Sequence, residues 1–152
     1  MGHGGPAALT REHPDCIVDT HTWVWVASDE NRRIGRGARR ALGRSDRAGV
    51  PAICQLEVAN LILDDRVGIA VTPEAWLESA IALHPFAIAP LTAEVAAAAA
   101  ELGREGFHGD PADRLIYATA RVLDVPLLTG DRRIRAFDRA LPRARGRRVV
   151  WD

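Results

Sequence analysis

The chain has 152 residues, enough for one domain with a real core, and 47% hydrophobic with 26% charged residues excludes a disordered polypeptide. Its formal net charge is zero, so no global field announces a nucleic-acid or membrane partner. All 20 basic side chains are Arg; without a Lys there is no Walker A loop, and receiver domains or haloacid-dehalogenase-like phosphatases, which set a Lys beside their strand-end acids, lose most of their weight.

Residues 1–14 are rich in Gly, Pro and polar side chains and read as a disordered leader, with a single domain over 15–152. Cys16-Ile17-Val18 reads as a first strand ending at Asp19, followed by a buried helix over 22–27 that Thr20 or Thr22 would cap. An Arg-rich, exposed helix over 36–47 is closed by Gly49, and Val50-Pro51-Ala52-Ile53 forms a second strand. Gln55 to Asp64 is a helix with Glu57 in its first turn. Thr72-Pro73-Glu74 caps and opens a helix carrying Trp76, and Phe86–Ala89 is a third strand. Thr92 caps an Ala-rich helix to Arg104. Pro111 opens a helix to Leu123, Val125–Thr129 is a fourth strand, residues 131–138 form a short helix, and Val149–Trp151 is a fifth strand. Short apolar strands alternating with helices define an α/β fold with a mostly parallel sheet buried on both faces.

No apolar run reaches the roughly 20 residues of a membrane span, and no charged-then-apolar start marks a signal peptide. Cys16 and Cys54, each placed in a strand or at its edge, lack zinc-site spacing and read as reduced, buried small hydrophobes. A cytoplasmic protein without membrane contact is expected.

The stretch Gly109-Asp110-Pro111-Ala112-Asp113-Arg114 is the most informative. Asp110 suits the N-cap, Pro111 the first helical position, and Asp113 the first turn, where negative charge meets the positive end of the helix dipole. Asp19 and Asp131 follow the first and fourth strands. Ligand sites of open α/β sheets lie beyond the carboxyl ends of strands, where strand order switches. If those two strands are neighbours, Asp19 and Asp131 meet there, and Glu57 and Asp113 reach the same edge from helix starts. Each acid also has a plainer reading: a helix cap for Asp19, Asp110 and Asp131, an exposed helix acid for Glu57. Crowded carboxylates repel, and a divalent cation relieves that repulsion; oxygen ligands in this number suit Mg²⁺, or Mn²⁺. Such an ion can activate water, align a phosphodiester and stabilise the leaving oxygen without a His or Lys base. The Arg-rich segments 32–47 and 132–148 are either phosphate contacts or solvated faces.

Four fragments together carry a resemblance: Val18-Asp19-Thr20-His21-Thr22-Trp23-Val24-Trp25, Ile53-Cys54-Gln55-Leu56-Glu57-Val58-Ala59, His108-Gly109-Asp110-Pro111-Ala112-Asp113-Arg114-Leu115-Ile116 and Leu127-Leu128-Thr129-Gly130-Asp131-Arg132. Each is weak alone; in this order and spacing, across residues 16–152, the chain resembles PIN-domain proteins, and among them the VapC-like toxins of type II toxin–antitoxin modules. The resemblance implies a three-layer α/β/α domain with a five-stranded parallel sheet in order 3-2-1-4-5. It implies a Mg²⁺-dependent endoribonuclease with Asp19 and Asp113 as main metal ligands and Glu57 and Asp131 acting directly or through water. Thr20 and Thr129 match small hydroxyl positions beside the acids, Asp110 caps or supports the site, Arg114 pairs with an acid or approaches phosphate, and His21 receives no catalytic role. Further implications are a tRNA or rRNA substrate cut to a 5′-phosphate and a 3′-hydroxyl, a cognate antitoxin seated on an apolar groove near Trp23, Trp25 or Trp76, and a homodimer. The alternatives are a PIN nuclease of RNA maturation and a catalytically silent PIN-like binding module. The presence of all four acids argues against the silent module.

Overall fold

A computed structural model of the chain describes residues 13–65 and 70–152; most of the leader lies outside the described residues. Its last two residues pack onto the body: Pro14 is buried and His13 Nε2 lies 3.0 Å from the Leu123 carbonyl. Strands β1 (Cys16–Val18), β2 (Ala48–Pro51), β3 (Phe86–Ala89), β4 (Leu127–Leu128) and β5 (Val149–Val150) form one parallel sheet in order β3-β2-β1-β4-β5. Among the described residues there are seven α-helices: α1 (Thr20–Ala27), α2 (Arg36–Gly43), α3 (Ile53–Leu63), α4 (Pro73–Ile81), α5 (Ala93–Arg104), α6 (Pro111–Leu123) and α7 (Arg132–Ala140). They give the three-layer α/β/α arrangement, and none is long and apolar enough to cross a membrane.

Burial explains the strand sequences. Every residue of β1, β2 and β4 is buried, so these strands carry no polar alternation. Ile17 sits in register with Gly49 on one side and Leu127 on the other. Trp23, Tyr117, Leu102, Ile116 and Leu128 complete the fully buried core. Trp23 is therefore core, its indole N–H donating to the Ala80 carbonyl at 3.3 Å.

Several boundaries differ from the sequence reading. Asp19, not a threonine, caps α1, which starts at Thr20. The second strand begins at Ala48, and Gly49 lies inside it, because a Cβ there would come 2.6 Å from Ile17 Cδ1. The glycine marks close packing between strands, not a turn. Helix α3 begins at Ile53, so Cys54 is helical and Glu57 falls in the second turn. The ends of α5, α6 and β3 agree with their sequence signals, including Thr92 and Asp110 as side-chain caps.

A buried carboxylate ties the last elements together. Asp138 of α7 accepts from the Tyr117 hydroxyl at 2.7 Å, from the Arg148 amide at 2.9 Å and from the Val149 amide at 3.2 Å. The Tyr117 hydroxyl is pushed above the usual phenol range by burial and by its bond to Asp138. Tyr117→Phe leaves Asp138 two amide donors, so the expected loss is about 1 kcal/mol, or roughly 2–4 °C in Tm by thermal unfolding.

Candidate active site

The adjacency of β1 and β4 brings two strand ends together. Asp19 follows β1; its Oδ1 accepts the Thr22 amide at 2.9 Å and its Oδ2 accepts the Thr129 hydroxyl at 2.5 Å. Thr129 follows β4, and its Oγ1 in turn accepts the Asp131 amide at 3.0 Å. Asp131 caps α7, accepting the Arg133 and Ile134 amides at 2.9 and 3.0 Å. One hydrogen-bonded chain thus fixes Asp19 relative to Asp131. Glu57 is fixed similarly, with the Thr20 hydroxyl donating to its Oε1 at 2.5 Å. On α6, Asp110 accepts the Asp113 amide at 2.9 Å and leaves the Asp113 carboxylate free of that duty.

The side chains of Asp19, Glu57, Asp110, Asp113 and Asp131 line one cavity of about 490 Å³, with Thr20, His21, Arg132 and Arg133 at its walls. Thr129 lies behind Asp19, fully buried. Arg114 does not join them: it lies along α5, where a Cβ at Gly103 would be 2.6 Å from its Nη1.

The cavity concentrates negative charge. Burial pushes the Asp19 carboxyl above its usual range, against the hydrogen bonds from Thr129 and Thr22. Glu57 is raised by burial first and by repulsion from Asp110 and Asp19, with the Thr20 bond opposing. Asp113 is pushed up to about 7 by burial, then by repulsion from Asp110, Asp131 and Glu57. Among the described residues none of these carboxylates forms an ion pair with an Arg. An all-oxygen donor set under this strain fits a hard divalent cation. Among the described residues no three His, Cys, Asp or Glu side chains already meet at ligand spacing. An ion such as Mg²⁺ keeps several waters and is held by one or two carboxylates, so it does not require three of these side chains in direct contact.

A family model for the PIN domain matches residues 16–140. The chain belongs to the PIN-domain family. It is also 36% identical over 126 residues to Ribonuclease VapC22 of Mycobacterium tuberculosis (strain ATCC 25618 / H37Rv), an overlap of 83% of this chain and 94% of that protein. This places it among VapC-like PIN domains.

Two glycines support the site of this PIN domain in ways its sequence motifs do not announce. A Cβ at Gly130 would sit 2.6 Å from Trp151 Cζ2, so the C-terminal Trp packs directly on the turn that presents Asp131. A Cβ at Gly109 would sit 2.3 Å from Phe107 Cε1 and 3.1 Å from Asp113 Oδ2. Gly109 adjoins Asp110 and carries a readable signal; no local pattern points from Gly130 to Trp151. Thr129→Val removes the hydroxyl that orients Asp19 while keeping the shape. A loss of about 10–100-fold in activity is expected in kinetic assays, the range typical of lost outer-shell partners at metal sites.

Proposed function

We propose that this PIN domain is a Mg²⁺-dependent endoribonuclease toxin held in check by a cognate antitoxin. The observation that carries the reading is the convergence of Asp19, Glu57, Asp113 and Asp131, from four separate segments, on one cavity where, among the described residues, none of them forms an ion pair. The ribonuclease name of the VapC22 relative supports RNA as substrate. Asp19 and Asp113 would hold the metal, with Glu57 and Asp131 contributing directly or through water. Mg²⁺, or Mn²⁺ in its place, supplies water activation and neutralises charge on the phosphodiester when bound. The rest of the work belongs to the chain. Thr129 and Thr20 hold the carboxylates of Asp19 and Glu57 in place, and Arg132 and Arg133 meet backbone phosphates beside the cavity. Asp110 caps α6 and leaves Asp113 free to face the site. The products are a 5′-phosphate and a 3′-hydroxyl, and unpaired bases of tRNA or rRNA are the target class.

The antitoxin reading is supported by an apolar groove of about 370 Å³ that includes Ala27, Val71, Trp76 and Leu83. Trp25 is half-buried, with Arg33 stacked on it, and Trp23 belongs to the core. A homodimer and a cytoplasmic setting complete the proposal.

Incubation with a total tRNA and rRNA pool tests the nuclease. A discrete cut with Mg²⁺, absent with EDTA and with Asp19→Asn, is expected. Cleavage that persists in EDTA would overturn the metal-dependent reading. Copurification with the product of a neighbouring small reading frame, with loss of the cut, tests the antitoxin.

A further inference from the structure

We propose that the groove between the α5–α6 connection and α7 is a base-binding subsite, holding an unpaired nucleobase next to the phosphate that is cut. This rests on the nuclease reading and adds to it the part of the RNA that the chain recognises. The groove has a volume of about 670 Å³, larger than the acidic cavity and within the ~300–1,000 Å³ typical of small-molecule sites. Its apolar lining is Ala136, Phe137, Ala140 and Leu141, and its polar rim includes His108 and Arg133.

Three observations favour a nucleotide as occupant. The first is continuity: Arg133 borders both the groove and the acidic cavity, and Gly109, which also lines the groove, directly precedes Asp110. A strand with its phosphate at the carboxylates would pass Arg133 before its next base reached the apolar lining. The second is charge. The acidic cavity repels phosphate until a cation neutralises it, whereas the groove adds Arg133 at the junction, and among the described residues Arg133 forms no ion pair. Glu105, the acid that lines the groove among the described residues, is already paired with Arg121 at 2.8 Å. The third is rigidity. Phe137 is held edge-on by Phe107 and Tyr117, with ring centroids 4.7 and 5.3 Å away. A fixed aromatic with apolar neighbours offers a base a surface without ordering cost. Gly106, His108 and Gly109 line the same groove, so the 106–109 loop runs along the side where the edge of a base would lie, and single-stranded RNA is read at such edges.

Ala136 and Ala140 are both exposed, so Ala136→Trp and Ala140→Phe fill the groove without entering the core. The first arm cuts a randomised single-stranded RNA pool with Mg²⁺ and sequences the ends. The wild type is expected to show a base preference at a position beside the cut, flattened several-fold in both variants. The second arm needs no cleavage. Anisotropy of a fluorescein-labelled ten-nucleotide RNA of random sequence is read on Asp113→Asn protein, alone and with Ala136→Trp. About tenfold weaker binding is expected with the groove filled. Unchanged preference and unchanged binding in folded variants would overturn the subsite while leaving the nuclease reading intact. Weaker binding with no cut by the wild type would support the groove and count against the nuclease.

Discussion

Asp113→Asn is expected to lower Mg²⁺-dependent cleavage at least about a hundredfold while making the metal-free protein more stable at pH 8. Both effects follow from one carboxylate. Asp113 sits half-buried in the first turn of α6, and burial together with Asp110, Asp131 and Glu57 pushes it up to about 7. In the unfolded chain it titrates near 3.9. Between those values the folded state binds a proton that the unfolded state does not, so stability falls as pH rises from about 4 to about 7 and stays low above. The full shift would correspond to about 4 kcal/mol. Solvent screening of a half-exposed group reduces that to about 1–2 kcal/mol, a few degrees in Tm. Asn does not titrate and gives up only the favourable helix-dipole interaction, a few tenths of a kcal/mol to about 1. Thermal unfolding in EDTA at pH 5 to 8 should therefore show this part of the slope in the wild type and not in Asp113→Asn. A variant that keeps the wild-type slope, or the wild-type cleavage rate, would contradict the role assigned to Asp113.

Asp19 separates fold from chemistry by the choice of replacement. Asp19→Ala removes the side-chain cap of α1 and leaves the buried Thr129 hydroxyl without its acceptor. The two losses together amount to about 2–4 kcal/mol, or roughly 5–12 °C in Tm. Asp19→Asn keeps an oxygen for the Thr22 amide and sets an NH2 where Oδ2 was, which donates to Thr129 Oγ1 instead of accepting from it. It also sheds a buried charge that the surroundings disfavour, as the raised Asp19 carboxyl shows. Its stability should stay close to wild type, while cleavage falls as far as in Asp113→Asn. Thermal unfolding and cleavage on the same two preparations check this pair. Comparable unfolding temperatures for Ala and Asn would remove the capping argument, and an active Asn variant would remove Asp19 from the metal site.

What the sequence made readable was mainly what side chains do to the backbone nearby. Thr72 before Pro73, Thr92 before the Ala run and Asp110 before Pro111 each cap a helix through their own oxygen, and those three starts fall where the residues announce them. Helix α3 has no such signal: Ala52 precedes it with no side-chain hydrogen bond, and the sequence points to a start at Gln55, two residues late. That start puts Glu57 in the first turn instead of the second, yet the residue reaches the site either way, because Thr20 holds its carboxylate. Gly49 reads as the close of a helix because the contact that requires it, Ile17 Cδ1, lies on another strand. Arg114 illustrates the limit for motifs. It belongs to the same run as Asp110 and Asp113, but helical geometry turns it toward Gly103 and away from the carboxylates. The groove beside α7 was not legible at all, since the 106–109 loop and Ala136, Phe137 and Ala140 meet only after the chain has folded.

The central claim is that carboxylates from four segments form one divalent-metal site. Titration of Mn²⁺ into the protein, followed by loss of the free-ion electron paramagnetic resonance signal, tests it most directly. The account predicts saturable binding that is strongly weakened by Asp19→Asn and by Asp113→Asn, that Mg²⁺ competes away, and that Glu94→Gln on the exposed start of α5 leaves unchanged. Absence of saturable binding, or binding indifferent to both aspartate substitutions, would contradict it.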